Sequence, residues 1–143
     1  FELRRLLVPI DFEHDVDEAL SAVRLLAAAY GAHVTLLSVR EPGPAEAARL
    51  LPGTTAEAER LALEDLRRRI EELATGLRAD LTSVRADVSD RRPTSAILSA
   101  VEPATMVVLV TDAHGGPAGL FDPSTTQQLL ARPDLTLLLI KEM

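Results

Sequence analysis

Met106-Val107-Val108-Leu109-Val110-Thr111 is an unbroken apolar run that empties into a segment from Asp112 to Pro123 holding Gly115, Gly116 and Gly119. Ser124-Thr125-Thr126 then open a helix-like stretch that Pro133 closes. A strand that is apolar on both faces belongs in the centre of a parallel sheet. Where such a strand gives way to a loop and then a helix N-terminus, open α/β sheets place their ligands.

Working outward, the rest of the chain repeats this grammar. Leu6-Leu7-Val8-Pro9-Ile10 is a short apolar run closed by Asp11, which reads as a first buried strand. Pro9 has no N–H for a ladder, so it belongs near the strand's C-terminal end. Asp15 with Glu18 forms a capping-box pattern, and Val16, Ala19, Leu20, Val23, Leu26, Ala27 and Tyr30 follow at helical spacing until Gly31. His33 to Val39 is the second strand. Residues 41 to 53, with three prolines and two glycines, form the longest irregular connection. Thr54 and Glu57 repeat the capping-box pattern. Leu63, Leu66, Ile70, Leu73 and Leu77 then mark an amphipathic helix whose seam suits either a sheet or a coiled coil.

Leu81 to Val88 alternates weakly and suits an edge strand. Pro93 starts a helix through Ile97, Leu98 and Val101. Met106 to Val110 is the fourth strand, Ser124 with Gln127 a third capping-box pattern, and Leu135 to Ile140 the fifth strand. Strand and helix alternate through five strands. That predicts one α/β domain over residues 1–143: a five-stranded parallel sheet in the order 3-2-1-4-5 with helices on both faces, a three-layer sandwich. The switch point then falls between the first and fourth strands, with Asp11 facing the loop after Val110.

Bulk properties narrow the function. The 143 residues are 47% hydrophobic and 26% charged, with a formal net charge of −7. This is globular composition, and the acidity disfavours nucleic acid and anionic membrane surfaces as partners. Cysteine is absent and the three histidines lack metal-ligand spacing, so no thiol chemistry or metal site is expected. No apolar run is long enough for a membrane span, and a cytoplasmic location is expected. Lys141 is the only lysine, which leaves none for a Schiff base or a P-loop.

In the predicted crevice, Asp11 could accept hydrogen bonds from a ligand's amino or hydroxyl groups, or simply bond its own turn. The glycines could let backbone N–H groups approach phosphate oxygens, and Ser124 or Thr125 would add helix N-terminal donors. Asp112 and Asp122 oppose an anion, and no Lys or Arg lies between Val110 and Arg132. Ser124, His114 and Asp11 could be drawn as a triad, but no G-x-S-x-G elbow supports it. A two-component receiver shares the alternation, yet lacks the clustered acidic residues after the first strand, and Val88-Ser89-Asp90 is a poor phosphoacceptor site. Leu135, Leu137 and Leu139 point one way and Leu138 and Ile140 the other, so the last strand is an edge that is apolar on both faces. Such an edge needs covering, and a homodimer through Leu135 to Ile140 is expected.

The order and spacing of four segments resemble the universal stress protein family over essentially the whole chain. They are Leu7-Val8-Pro9-Ile10-Asp11 with Glu18-Ala19-Leu20, Val34 to Val39, Pro93 to Leu98, and Val107 to Leu120. The resemblance implies a five-stranded α/β fold that commonly dimerises through its last strand and, in one branch, binds ATP or AMP in this crevice. It implies nucleotide contacts at Pro9, Asp11, Val39, Thr111, Gly116, Gly119, Ser124 and Thr125, with Asp11 at the adenine and ribose end.

The phosphate loop departs from the family pattern of Gly, two residues, Gly, nine residues, then Gly-Ser or Gly-Thr. With Gly116 on the second glycine, Ala113 stands on the first; Ser124 follows Pro123 and arrives several residues early. Phe12-Glu13 replaces the usual small residues after the first strand. The expectation is therefore a non-enzymatic, dimeric stress-response sensor or interaction module with an altered or lost nucleotide site. The alternatives are an ATP or AMP binder with slow hydrolysis or autophosphorylation on Ser124 or Thr125, and a regulatory domain of a transporter or sensor kinase.

Overall fold

A computed structural model describes residues 2–12, 16–39, 52–112 and 123–142. In chain order the elements are β1 (Arg5–Ile10), α1 (Asp17–Tyr30), β2 (His33–Val39), α2 (Pro52–Arg78), β3 (Val84–Ser89), α3 (Pro93–Ala100), β4 (Thr105–Asp112), α4 (Pro123–Leu130) and β5 (Thr136–Glu142). All strand pairings are parallel, and the sheet order is β3-β2-β1-β4-β5, as the alternation predicts.

The period-two alternation of the strands sorts side chains into two cores. Leu6, Val8 and Ile10 of β1, Val34 and Leu36 of β2 and Val108 of β4 face α1 and α2, which contribute Leu20, Val23, Ala27, Ile70, Ala74 and Leu77. Leu7, Leu37, Val107 and Leu109 face the other way, onto Ala96 and Ile97 of α3 and Leu129 of α4. The central strands are apolar on both faces because both faces are covered. On β3, Val84, Ala86 and Val88 pack on the larger core, while Arg85, between them, is exposed. That is the pattern of an edge strand with one face covered.

Element boundaries differ from the sequence reading where proline or local backbone bonding competes. The helix expected from Thr54 begins at Pro52, and the one expected from Ser124 begins at Pro123. Proline's fixed φ suits a helix's first position, so Thr54 and Ser124 lie inside the first turn and are not caps. The cap of α1 is Val16, which makes no side-chain capping bond; Asp15 lies outside the described residues. Leu81 is not in a strand: its N–H donates to the Leu77 carbonyl at 2.9 Å, and its side chain is buried against the larger core. β4 extends through Asp112, which pairs in register with Glu142 of β5, so Asp112 ends a strand and does not begin a loop.

Two left-handed residues shape the strand starts. Gly31 closes α1 at φ 64° with its N–H on the Ala27 carbonyl, the αL ending that glycine allows without a Cβ clash. Ala104 sits at φ 63°, and its carbonyl accepts from the N–H groups of both Arg4 and Arg5, at 3.0 and 3.1 Å. This bond pair aligns β1 beside β4.

The helix α2 has 27 residues, about 40 Å at 1.5 Å per residue. The strands it crosses have six or seven, about 20 to 24 Å. Among the described side chains of α2, the buried ones are Ile70, Ala74 and Leu77 of its C-terminal half; Leu63 and Leu66 are half-buried and Leu61 is exposed. The amphipathic seam therefore packs on the sheet only from about Ile70 onward.

Candidate functional site

The register of the sheet opens a crevice where the switch point predicts one. β1 pairs with β2 along its whole length, Arg5 with His33 through Ile10 with Ser38. It pairs with β4 only from Arg5 with Thr105 to Leu7 with Val107. β4 continues alongside β5 to Asp112. Past Leu7 and Val107 the two central strands part, and Pro9, with no N–H to donate, lies in the segment of β1 no longer bonded to β4. Beneath it, Ile10 is 1% exposed and the Ser38 hydroxyl donates to the Ile10 carbonyl at 3.5 Å, within a buried setting.

Around this opening the parallel strands deliver their C-terminal ends. Pro9 and Asp11 come from the end of β1, Val39 is the last residue of β2, and Thr111 is next to last in β4, opposite Lys141. Ser124 and Thr125 are the second and third residues of α4. Six of the eight positions for which the sequence predicts nucleotide contacts are thus carried to one edge of the sheet by the topology. Gly116 and Gly119 lie outside the described residues, as do His114, Asp122 and Ala113. Asp11 and Val39 are half-buried, whereas Thr125 is only 6% exposed.

What the sequence reading missed is a cation. The guanidinium carbon of Arg69, on α2, stands 4.3 Å from the centroid of the Phe12 ring. Phe12 directly follows Asp11 and packs against the larger core, so its ring is held from beneath. An exposed contact of this kind is worth about 0.5 to 1 kcal/mol. The signal was present in the seam: Ile70 faces inward, so its neighbour Arg69 stands beside a core residue. Scanning for a cation close in sequence to the glycine loop could not find it. Three other arginines of α2 are engaged along their own helix, Arg60 with Glu57 and Glu64, Arg68 with Asp65, and Arg78 with Glu71.

The resolved electrostatic perturbations fall on two arginines outside the predicted contact positions. Arg60 is held above its ordinary value by its hydrogen bond to Glu57, then by Glu64. Arg85 is held above its ordinary value by its hydrogen bond to Asp87 and that carboxylate's charge. Among the described residues, no group of three or more His, Asp or Glu side chains is placed to hold a metal ion. No described helix is long and apolar enough to cross a membrane.

The model of the universal stress protein family matches residues 2–141. The chain belongs to that family. No curated protein matches it at a significant level, so the family assignment rests on the family pattern and on the fold. Among solved structures, the universal stress protein UspA from Lactobacillus plantarum is similar with a TM-score of 0.70 and 16% identity, over 98% of this chain and 99% of that one. A universal stress protein from Archaeoglobus fulgidus gives a TM-score of 0.62 and 22% identity, over 97% of this chain and 44% of that one. A universal stress protein in complex with cAMP gives a TM-score of 0.60 and 18% identity, over 99% of this chain and 98% of that one. At these identities the likeness is one of fold.

Proposed function

We propose that this universal stress protein is a non-enzymatic, dimeric ligand sensor or interaction module in a stress response, with an altered nucleotide site. The adenine and ribose end is kept: Asp11 and Val39 stand half-buried at adjacent strand ends. The phosphate end is reduced. The observation that carries this reading is that α4 begins at Pro123, with Ser124 as its second residue. The first position of the helix therefore brings no N–H to an anion, and the segment before it has Ala113 in place of a glycine and is several residues short of the family spacing.

Such a crevice suits an adenine nucleotide with a small anionic group, AMP or a cyclic nucleotide, over one with a triphosphate. The cAMP complex of a protein with the same fold is consistent with that class. Isothermal titration with ATP, AMP, cAMP and a cyclic dinucleotide tests it. The expected result is binding of AMP or cAMP with ATP at least tenfold weaker; micromolar ATP affinity would sink the reading.

Slow autophosphorylation is a second reading, and it has one acceptor fewer than the sequence offered. Thr125 is buried, so only Ser124 remains of the two candidates. The dimer is supported by the position of β5 at the sheet edge and by Leu139, which is 44% exposed on it. An uncovered apolar edge strand is a pairing surface. Light scattering is expected to return a dimer at tens of micromolar, and a monomer there would remove this part of the proposal.

A further inference from the structure

We infer that Arg69 is a ligand-contacting residue of this crevice, supplying the cation that meets the anionic group of a bound nucleoside monophosphate or cyclic nucleotide. The inference rests on the nucleotide-site reading above and names the residue that makes an anionic ligand acceptable there. Three observations carry it.

The first is position. Arg69 comes from α2, yet its guanidinium lies over the ring of Phe12, the residue after Asp11. Adjacent Cα atoms are about 3.8 Å apart, so the charge rests on the residue directly after the one assigned to the adenine and ribose end. Ile70, 2% exposed and packed in the core, fixes the backbone beside it. The helix cannot drift; the long Arg69 side chain can.

The second is commitment. Arg60, Arg68 and Arg78 are each engaged with carboxylates of α2 itself. Arg69 is turned away from those partners, across to the end of β1. A guanidinium lying on an exposed aromatic face is held weakly, so an incoming anion can draw it off the ring. Its planar fork then matches two phosphate oxygens.

The third is charge balance. The chain carries −7 overall, and no Lys or Arg stands between Val110 and Arg132, whereas Asp112 and Asp122 do. A phosphate brought to this end of the sheet without a cation beside it would meet repulsion from the carboxylates that the sequence places there. Arg69 reverses that locally. Meanwhile Phe12, its inner side on the core, gives the guanidinium a fixed resting place, and a guanidinium plane can itself stack a base.

The test is isothermal titration of the full chain and of Arg69→Ala and Arg69→Lys with AMP, cAMP and adenosine, alongside thermal melts. Arg69 is exposed, so the melts are expected to stay close to the parent. Arg69→Ala is expected to weaken AMP and cAMP roughly tenfold or more and to flatten their salt dependence, leaving adenosine within about twofold. Arg69→Lys should recover part of the loss, since it keeps the charge without the fork. Unchanged AMP affinity in Arg69→Ala would overturn the inference, and so would equal weakening of AMP and adenosine. Failure of the parent protein to bind AMP or cAMP removes the nucleotide reading and this inference with it. Binding by the parent with no effect of the substitution removes this inference alone.

Discussion

Replacing Ile70 with alanine tests the most consequential difference between pattern and packing in this chain. In the sequence, Leu63, Leu66, Ile70, Leu73 and Leu77 form one even seam, and each would cost about the same to truncate if the seam were buried along its length. In the structure Ile70 is 2% exposed and Leu77 fully buried, Leu63 is half-buried, and Leu61 is 52% exposed. Truncating a buried Ile or Leu to Ala costs about 2 to 5 kcal/mol, the transfer of the lost methyl groups plus the cavity left behind. For Ile70, buried in the larger core where α2 crosses the β2–β3 side of the sheet, about 3 kcal/mol is expected.

Leu61→Ala, on the overhanging half, is expected to cost no more than about 0.5 kcal/mol, and Leu63→Ala about 1 kcal/mol. With a urea slope of about 2 kcal/mol per molar, Ile70→Ala should lower the midpoint by about 1.5 M, Leu63→Ala by about 0.5 M and Leu61→Ala by about 0.25 M. The slope should not change. Equal losses at all three positions would refute the packing described here. A midpoint that rose with protein concentration in the parent and lost that dependence in Leu63→Ala would show the outer half to be an intermolecular seam.

Four further outcomes follow from particular residues. Ala104→Gly should raise stability by about 0.5 to 1 kcal/mol, because relief of αL strain of about 1 to 2 kcal/mol outweighs glycine's entropy cost in the unfolded chain; a loss of stability by urea denaturation would contradict the strain. Gly31→Ala should do the reverse and cost about 1 kcal/mol, since no atom crowds the position and only φ opposes the change. Leu139→Lys should convert a dimer to a monomer in light scattering without lowering the urea midpoint of the monomer by more than about 0.5 kcal/mol equivalent. The pH dependence has a definite sign: Arg60 and Arg85 are each held above the ordinary arginine value by a carboxylate partner, so their ion-pair contribution is fully present below the unfolded-state value and is lost only as pH climbs through the folded-state one. Deleting either pair, as Glu57→Gln or Asp87→Asn, should therefore shift the urea midpoint equally at about pH 6 and 9.

Much of the fold was legible because the strands report their own burial. Val107 to Leu109 and Leu6 to Val8 are apolar at every position, which only a strand covered on both faces tolerates, and both proved central. The alternation of Val84, Arg85, Ala86, Asp87 and Val88 reported an edge with one face covered, and β3 is that edge. Helix starts were less legible. Thr54 and Ser124 each look like a cap from local spacing, but a proline one or two positions earlier already presets the helical φ and moves the start upstream. Leu81 misled for a related reason: its apolar side chain fits a strand, while its N–H is taken by the end of α2.

The site divides along the same line between local and distant information. Asp11, Val39 and Thr111 could be placed because each lies within one residue of a strand's C-terminal end, and parallel strands bring their ends to one edge whatever the intervening loops do. Where the crevice opens depends instead on register: that β1 leaves β4 after Leu7 is a property of two strands nearly a hundred residues apart, and Pro9 is its only trace in one of them. Arg69 is farther still from legibility. In the sequence it is one of three consecutive arginines, Arg67-Arg68-Arg69, on the polar side of a helix. Packing of Ile70 into the core singles it out, because the residue beside a buried anchor is fixed in height against the sheet while Arg68 is paired along the helix. The Phe12 that looked like a misplaced bulky residue after β1 is what receives it. The same residue that departs from the small one expected there is what Arg69 rests on, and under the proposed reduced phosphate end that cation counts most.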